Sequence, residues 1–278
     1  MRDRSAQNEA SAVQEIRFPS FSLSVRSDDH GGQMYNDRPA FEETQSLLYP
    51  LVQKEITPAL VIDVGANYGL TALIYAEAFP SAHIVAVEPS PELLPLLKRN
   101  LGQLPAKRVT ILSAACGAKS ASSLVFGLNP HSSQDNRVTP QAGWSTVEVQ
   151  QTTIDDIAEK ANASSSLFIK IDTQGYEFNV FSGAEATLAR CSRWLVKTEF
   201  APHWLLSQGT QPCQLLEYLV GRYLVFESPA RIPFGSSALS SILGKPLEKH
   251  QVEGFVDHVT NLNRNNTGWV DLLIRPRI

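Results

Sequence analysis

The chain is poor in cysteine, with three in 278 residues (Cys116, Cys191 and Cys213), widely spaced and without a Cys-x-x-Cys pair. That excludes a disulfide framework and a thiolate zinc site, and it suits free thiols in a reducing compartment. Positive charge is also short. Twenty-four Lys and Arg against 28 Asp and Glu leave a net charge of −4. A duplex-binding module shows the opposite bias, so nucleic acid is not the expected partner. No apolar run approaches the roughly 18 residues of a membrane-spanning helix, so no membrane partner is expected either. The opening MRDRSAQNEASAVQEIRF lacks the apolar core of a signal peptide, and the expectation is a soluble, cytoplasmic protein. The remaining composition, 43% hydrophobic and 19% charged, is that of a globular chain.

The length suits one α/β domain with insertions. Residues 1–20 are polar and read as a mobile tail, and residues 21–278 as a single domain. A strand at 21–27, with Phe21, Leu23 and Val25 at period two, and a helix at 41–55, which Pro50 kinks or divides, form an amino-terminal extension. A strand–helix rhythm then begins. ALVIDVG (59–65) is a continuous apolar run, the mark of a strand buried on both faces. Helix LTALIYAEAF and strand HIVAVEP (83–89) follow, and Ser90-Pro91 supplies an N-cap and first-turn proline for the next helix. VTILSAA (109–115) is a third strand. Residues 117–150 break the rhythm with two strands around a polar loop, an inserted β-hairpin. Thr153 and Asp156 resemble a capping box opening a helix. Strand LFIKID (167–172), helix EFNVFSGAEATLA, strand WLVKTEF (194–200), helix CQLLEYLV and strand YLVFES resume it; after an irregular stretch (229–266), GWVDLLIRP is the last strand. Strands alternating with helices imply a doubly wound, mostly parallel sheet.

The sharpest local signal is Asp63-Val-Gly65-Ala66-Asn67-Tyr-Gly69, set between a buried strand and a helix. Gly65 can adopt a turn barred to side chains and lets a ligand approach the backbone. The helix amino terminus behind Gly69 offers N–H groups to an anion. Glu88, 23 residues beyond Gly65, ends the second strand, where a carboxylate can accept both ribose hydroxyls of a nucleoside cofactor. A dinucleotide fingerprint requires glycine two residues after the first, and Asn67 stands there instead. That counts against the main alternative, a nicotinamide-dependent oxidoreductase. A donor-binding scaffold without activity is a second alternative, against which the intact Gly65, Gly69 and Glu88 count.

The pattern D-x-G-x-x-x-G with a later acidic strand end resembles the S-adenosylmethionine site of class I methyltransferases. The run Lys170-Ile-Asp172-Thr-Gln174-Gly-Tyr-Glu177, followed by Phe181-Ser-Gly-Ala184, resembles the FkbM family of methyltransferases in particular. The strand ending in Glu199 and the helix opening at Thr153 fit as well, and the resemblance spans roughly residues 20–275. Gln174 stands where glutamate is commoner in that family. The resemblance implies a seven-stranded Rossmann-like sheet, S-adenosylmethionine as methyl donor, and methylation of a hydroxyl oxygen on a sugar or secondary metabolite. It places Asp63 near the methionine ammonium, directly or through water, the helix end near its carboxylate, and Ala66, Asn67, Pro89, Ser90, Ala115 and Asp172 around the donor.

An alcohol acceptor must lose a proton, which calls for a base or a metal. His203, just beyond the fifth strand, is the first candidate, with Asp172 and Glu199 beside it; His131, in the inserted loop, is the next. Asp172 reads as a contact to the donor or the acceptor hydroxyl, or as a helix cap. A magnesium alternative would use the oxygens of Asp172 and Glu199. Lys170, in a buried strand, needs a partner, and Glu177 and Glu199 are the candidates. Trp204 and Tyr68 are read as walls for a ring-shaped acceptor, or as ordinary packing.

Overall fold

Each apolar strand run contributes to two packed layers, because successive side chains point to opposite faces. In the computed structural model, which describes residues 12–36, 38–120, 122–161, 166–233 and 235–277, Val61, Ile84, Phe168 and Leu195 face one layer. Ile62, Val85, Ile169 and Val196 face the other.

The described chain starts with an antiparallel ribbon, β1 (Val13–Arg17) and β2 (Ser22–Arg26), followed by α1 (His30–Gln33) and α2 (Arg38–Ile56). Strand β3 (Leu60–Val64), α3 (Leu70–Ala78), β4 (His83–Val87), α4 (Leu94–Leu101) and β5 (Val109–Leu112) alternate as expected. The insertion is β6 (Ala115–Cys116), β7 (Ser122–Leu128) and β8 (Ser145–Thr152), in which β7 and β8 form the hairpin and β6 runs parallel to β8. Next come α5 (Ile154–Lys160), β9 (Ser166–Ile171), α6 (Glu177–Ser182), α7 (Glu185–Arg190), β10 (Arg193–Phe200) and α8 (Pro202–Ser207). Then α9 (Pro212–Arg222), β11 (Leu224–Glu227), α10 (Val252–Thr260) and β12 (Val270–Arg275) complete the described chain.

Seven strands form the main sheet in the order β11-β12-β10-β9-β3-β4-β5, all parallel except β12, which runs against both neighbours. This is a Rossmann-like α/β sheet. The winding reverses between β3 and β9, so the carboxyl ends of those strands open a crevice there.

Several local expectations need correction. Residues 13–17 lie inside the expected tail yet form β1, because Ile16 is buried beside Leu23 and Val25; residues 1–11 lie outside the described residues. Pro50 sits within one continuous helix and does not divide it. Ser90 is not the N-cap of α4, a place taken by Leu93; its carbonyl accepts from Leu93 and Leu94 N–H in the turn before the helix, and its hydroxyl finds no partner among the described residues. The helix read from residue 177 breaks at Gly183, where a Cβ would stand 2.1 Å from the Gly117 carbonyl oxygen. Helices α8 and α10 were not anticipated. The Thr153 cap holds, its hydroxyl accepting from Asp156 N–H at 3.0 Å.

Phe168 is fully buried on β9, with ring centroids 5.9 Å from Tyr49, 5.1 Å from Tyr75 and 5.4 Å from Phe79. Truncation would leave an aromatic-sized cavity that the rigid rings of Tyr49 on α2, Tyr75 on α3 and Phe79 just after it cannot fill. Phe168→Ala is expected to cost about 3–5 kcal/mol in urea unfolding, with little change in the slope against denaturant.

Candidate active site

The crevice at the switch point holds a cavity of about 310 Å³. Its floor comes from the carboxyl ends of the strands: Val64 and Gly65, Val87 and Glu88, Lys170 and Asp172, Lys197 and Glu199, with Asp271 from β12. Met34 and Tyr35, just after α1, and Phe126, Ser133, Gln134, Asn136 and Val138 of the insertion complete the walls.

The glycine loop is tightly specified. Gly65 has φ +77°, and a Cβ there would lie 2.0 Å from the Asp172 carbonyl oxygen, so any side chain would force β3 and β9 apart. Asn67 adopts φ +50°, a left-handed conformation asparagine tolerates, and Gly69, at φ +90°, precedes α3. All five loop N–H groups have protein acceptors. Gly65 and Ala66 donate to Val87 O, Asn67 to Glu88, Tyr68 to the Asn67 side chain, and Gly69 to Ala66 O. The loop itself therefore has no N–H to spare for an anion.

Glu88 accepts from Asn67 N–H and from Ser90 N–H, each at 2.8 Å. Each carboxylate oxygen keeps a further lone pair for a ligand hydroxyl. Burial pushes the Glu88 carboxyl up to about 7.

Strand register arranges the charged side chains in two rows. Asp63, Lys170 and Lys197 are successive cross-strand partners on β3, β9 and β10. Two residues further along, Asp172 and Glu199 occupy the rim, and Asp271 is the register partner of Glu199 on β12. Lys170 is 7% exposed and donates to Gly65 O at 2.9 Å; its Nζ lies 3.3 Å from Asp172, 3.4 Å from Val64 O and 3.6 Å from Asp63. Burial alone would lower its pKa, yet the charges of Asp172 and Asp63 raise it, so the ammonium persists. Lys197 pairs with Asp271 at 2.6 Å.

Three carboxylates thus stand over two lysines, and Glu199 is the one without an ion pair among the described residues. Burial first, then the charges of Asp172, Glu177 and Asp271, hold its carboxyl well above the ordinary range. The Gln174 side-chain amide bridges the rim, donating to Asp172 at 3.0 Å and to Glu199 at 3.4 Å.

The structure brings Gly65, Ala66, Asn67, Glu88, Pro89, Ala115, Asp172 and Glu199 together around this cavity. Other candidates lie outside its lining. Asp63 is fully buried, accepts from the Thr71 hydroxyl at 2.7 Å, and stays outside the cavity lining, so it supports Lys170. Ser90 and Gly69 also stay outside; their N–H groups donate to Glu88 and to Ala66 O. His203 is exposed on the first turn of α8, and His131 is exposed in the insertion; neither lines the cavity. Lys170 pairs with Asp63 and Asp172 instead of Glu177 or Glu199; Glu177 accepts from Thr173 N–H, the Thr173 hydroxyl and Gly175 N–H.

Tyr68 is buried, donating to Asp29 at 2.6 Å, and Trp204 packs its ring 3.9 Å from the Arg137 guanidinium; neither reaches the cavity. Tyr35, Phe126, Tyr176 and Trp269 supply the aromatic walls instead. Lys197 was overlooked, although its i, i+2 spacing from Glu199 on one strand places both on the same face. Among the described residues, no three His, Cys, Asp or Glu side chains are arranged to hold a metal ion, and the lysines intervene between carboxylates.

A methyltransferase FkbM domain model matches residues 63–227, more than half of the chain and narrower than the span read from sequence. No curated protein matches. Among solved structures, the chain is similar to a precorrin-6y C5,15-methyltransferase from Geobacter metallireducens GS-15, at 12% identity, TM-score 0.40, and 84% and 87% of the two chains covered. It is also similar to an FkbM methyltransferase from Methylobacillus flagellatus KT, at 15% identity and TM-score 0.42, over 89% of this chain and 61% of that one. The plantazolicin methyltransferase BpumL, in complex with SAH, shares 13% identity and TM-score 0.41, with 88% of each chain covered. These likenesses are distant, and membership rests on the family model, which also removes the nicotinamide alternative. The chain belongs to the FkbM methyltransferase family, and its methyl donor is S-adenosylmethionine.

Proposed function

We propose that this methyltransferase acts on a hydroxyl oxygen of a small acceptor, a sugar or other secondary metabolite, and that Glu199 takes the hydroxyl proton. The observation that carries the reading is the pairing pattern: both lysines beneath the rim are held by Asp63, Asp172 and Asp271, leaving Glu199 free to bind a proton. Bound in the cavity, S-adenosylmethionine supplies an electrophilic methyl group on a sulfonium. The residues fit that donor. Glu88 keeps lone pairs for two ribose hydroxyls, and Pro89, Ala115 and Cys116 give an apolar wall for a nucleobase.

Gln134, Asn136 and Gln174 present amides, and Tyr35 and Trp269 present rings, a combination suited to a hydroxylated ring. Positioning supplies much of the rate of a displacement, and Glu199 adds proton removal at the rim. The three free cysteines support a reducing, cytoplasmic setting.

Two experiments test these roles. S-adenosylhomocysteine binding, followed by calorimetry, is expected to require ionised Glu88. Because that carboxyl titrates at about 7, affinity rises with pH and is roughly tenfold weaker at pH 6 than at pH 8. Glu88→Gln is expected to cost about 1.5–3 kcal/mol of binding and to abolish that pH dependence. Unchanged affinity in this variant would remove Glu88 from the donor site.

With labelled S-adenosylmethionine and the best acceptor from a panel of sugars and hydroxylated natural products, Glu199→Gln is expected to lower kcat by roughly 10²–10⁴ and to keep S-adenosylhomocysteine affinity within about twofold. The base must be deprotonated, so the wild-type rate falls as pH drops through the raised Glu199 pKa, and that limb disappears in the variant. Wild-type kcat in Glu199→Gln would overturn its role as base. Methylation confined to amine acceptors would overturn the hydroxyl assignment, and tight donor binding without turnover on any acceptor would favour a scaffold.

A further inference from the structure

We propose that Lys170 and Asp172 together read the amino-acid tail of the donor, Lys170 binding its carboxylate and Asp172 its ammonium. The inference rests on the donor-site reading above and moves the ammonium contact from Asp63 to Asp172 and the carboxylate contact from the amino terminus of α3 to Lys170. Asp63 stays outside the cavity, its carboxylate directed to Thr71 and Lys170. The N–H groups from Gly65 to Gly69 are all engaged with protein acceptors. The cationic side chains lining the cavity are Lys170 and Lys197. Lys197 is held at 2.6 Å by Asp271, toward the edge of the crevice away from the glycine loop. Lys170, by contrast, abuts the loop.

Its ammonium makes one short bond, 2.9 Å to Gly65 O, while its other neighbours stand at 3.3, 3.4 and 3.6 Å. Contacts of that length are weak, so a proton can turn to a ligand oxygen with little loss. Asp172 is two residues on along the same strand face, with a side chain about a third exposed. Gln174 and Lys170 approach one oxygen each, which leaves acceptor capacity for a ligand ammonium. A cation and an anion 3.3 Å apart therefore face the cavity side by side, the complement of carboxylate and ammonium on one carbon. Charge-assisted hydrogen bonds of this kind are the strong ones.

The test is calorimetry of the full chain with four ligands: S-adenosylhomocysteine, its decarboxylated analogue, its deaminated analogue, and 5′-methylthioadenosine, which lacks both groups. Wild-type protein is expected to lose roughly 10- to 100-fold in affinity when either tail group is removed. The paired variant Asp63→Asn/Lys170→Met removes both buried charges together, so that neither is stranded. It is expected to lose the preference for the carboxylate while binding 5′-methylthioadenosine within about twofold of wild type. Asp172→Asn, whose side chain is partly solvated, is expected to lose the preference for the ammonium only. Retention of both preferences in these variants would overturn the assignment. Failure of wild-type protein to bind S-adenosylhomocysteine would instead overturn the donor site itself, and the inference with it.

Discussion

A lysine ammonium held inside the sheet is the constraint on which the site depends. Removing a charge from water is costly unless opposite charge and hydrogen bonds replace the lost hydration. Lys170 meets that condition with Asp63 across β3, Asp172 on its own strand and the Gly65 carbonyl. The same contacts draw β3 and β9 together where the winding reverses. There the parallel ladder sets the Asp172 carbonyl so close to Gly65 that only glycine fits, and the loop that follows is aligned for Glu88. The floor of the cavity, its glycine loop and its rim carboxylates meet at this one buried charge.

The roof depends on a second buried polar side chain. Asp29, 1% exposed, accepts from Gly31 N–H, Gly32 N–H, Ser133 N–H, the Ser133 hydroxyl and the Tyr68 hydroxyl. These donors come from α1, the insertion and the glycine loop, three segments far apart in the chain. Asn67 adds a bond of 3.2 Å to the Ser133 hydroxyl. The insertion is also tied to α8 through Thr139 and Gln208 and through Arg137 against Trp204. Its polar loop thereby becomes a wall of the site, with Ser133 and Gln134 facing the cavity.

Much of this was legible from residue pattern. Apolar runs marked β3, β4, β9 and β10, the glycine spacing marked the loop, and Glu88 was found because a strand end is a position with a known geometric meaning. The inserted hairpin stood out as a break in rhythm. Other features depend on contacts between distant segments. The partners of Lys170 follow from the parallel register of β3 with β9, which the sequence alone does not display. Asp29 lies in a turn-rich stretch where an acidic residue ordinarily faces water. His203 follows a catalytic-looking strand end, but Pro202 opens a short helix that leaves the imidazole exposed. Ile16 and Val13 are too few apolar residues to separate β1 from a tail.

The central claim is that Lys170 remains an ammonium within an ion pair, and does not pass its proton to the buried Asp63. Nitrogen-15 NMR of the lysine side chains, with Lys170 assigned through Lys170→Met, measures this directly. The account requires a charged, slowly exchanging Lys170 amine whose shift stays constant from pH 6 to pH 10. A neutral amine signal, or a titration inside that range, would contradict it.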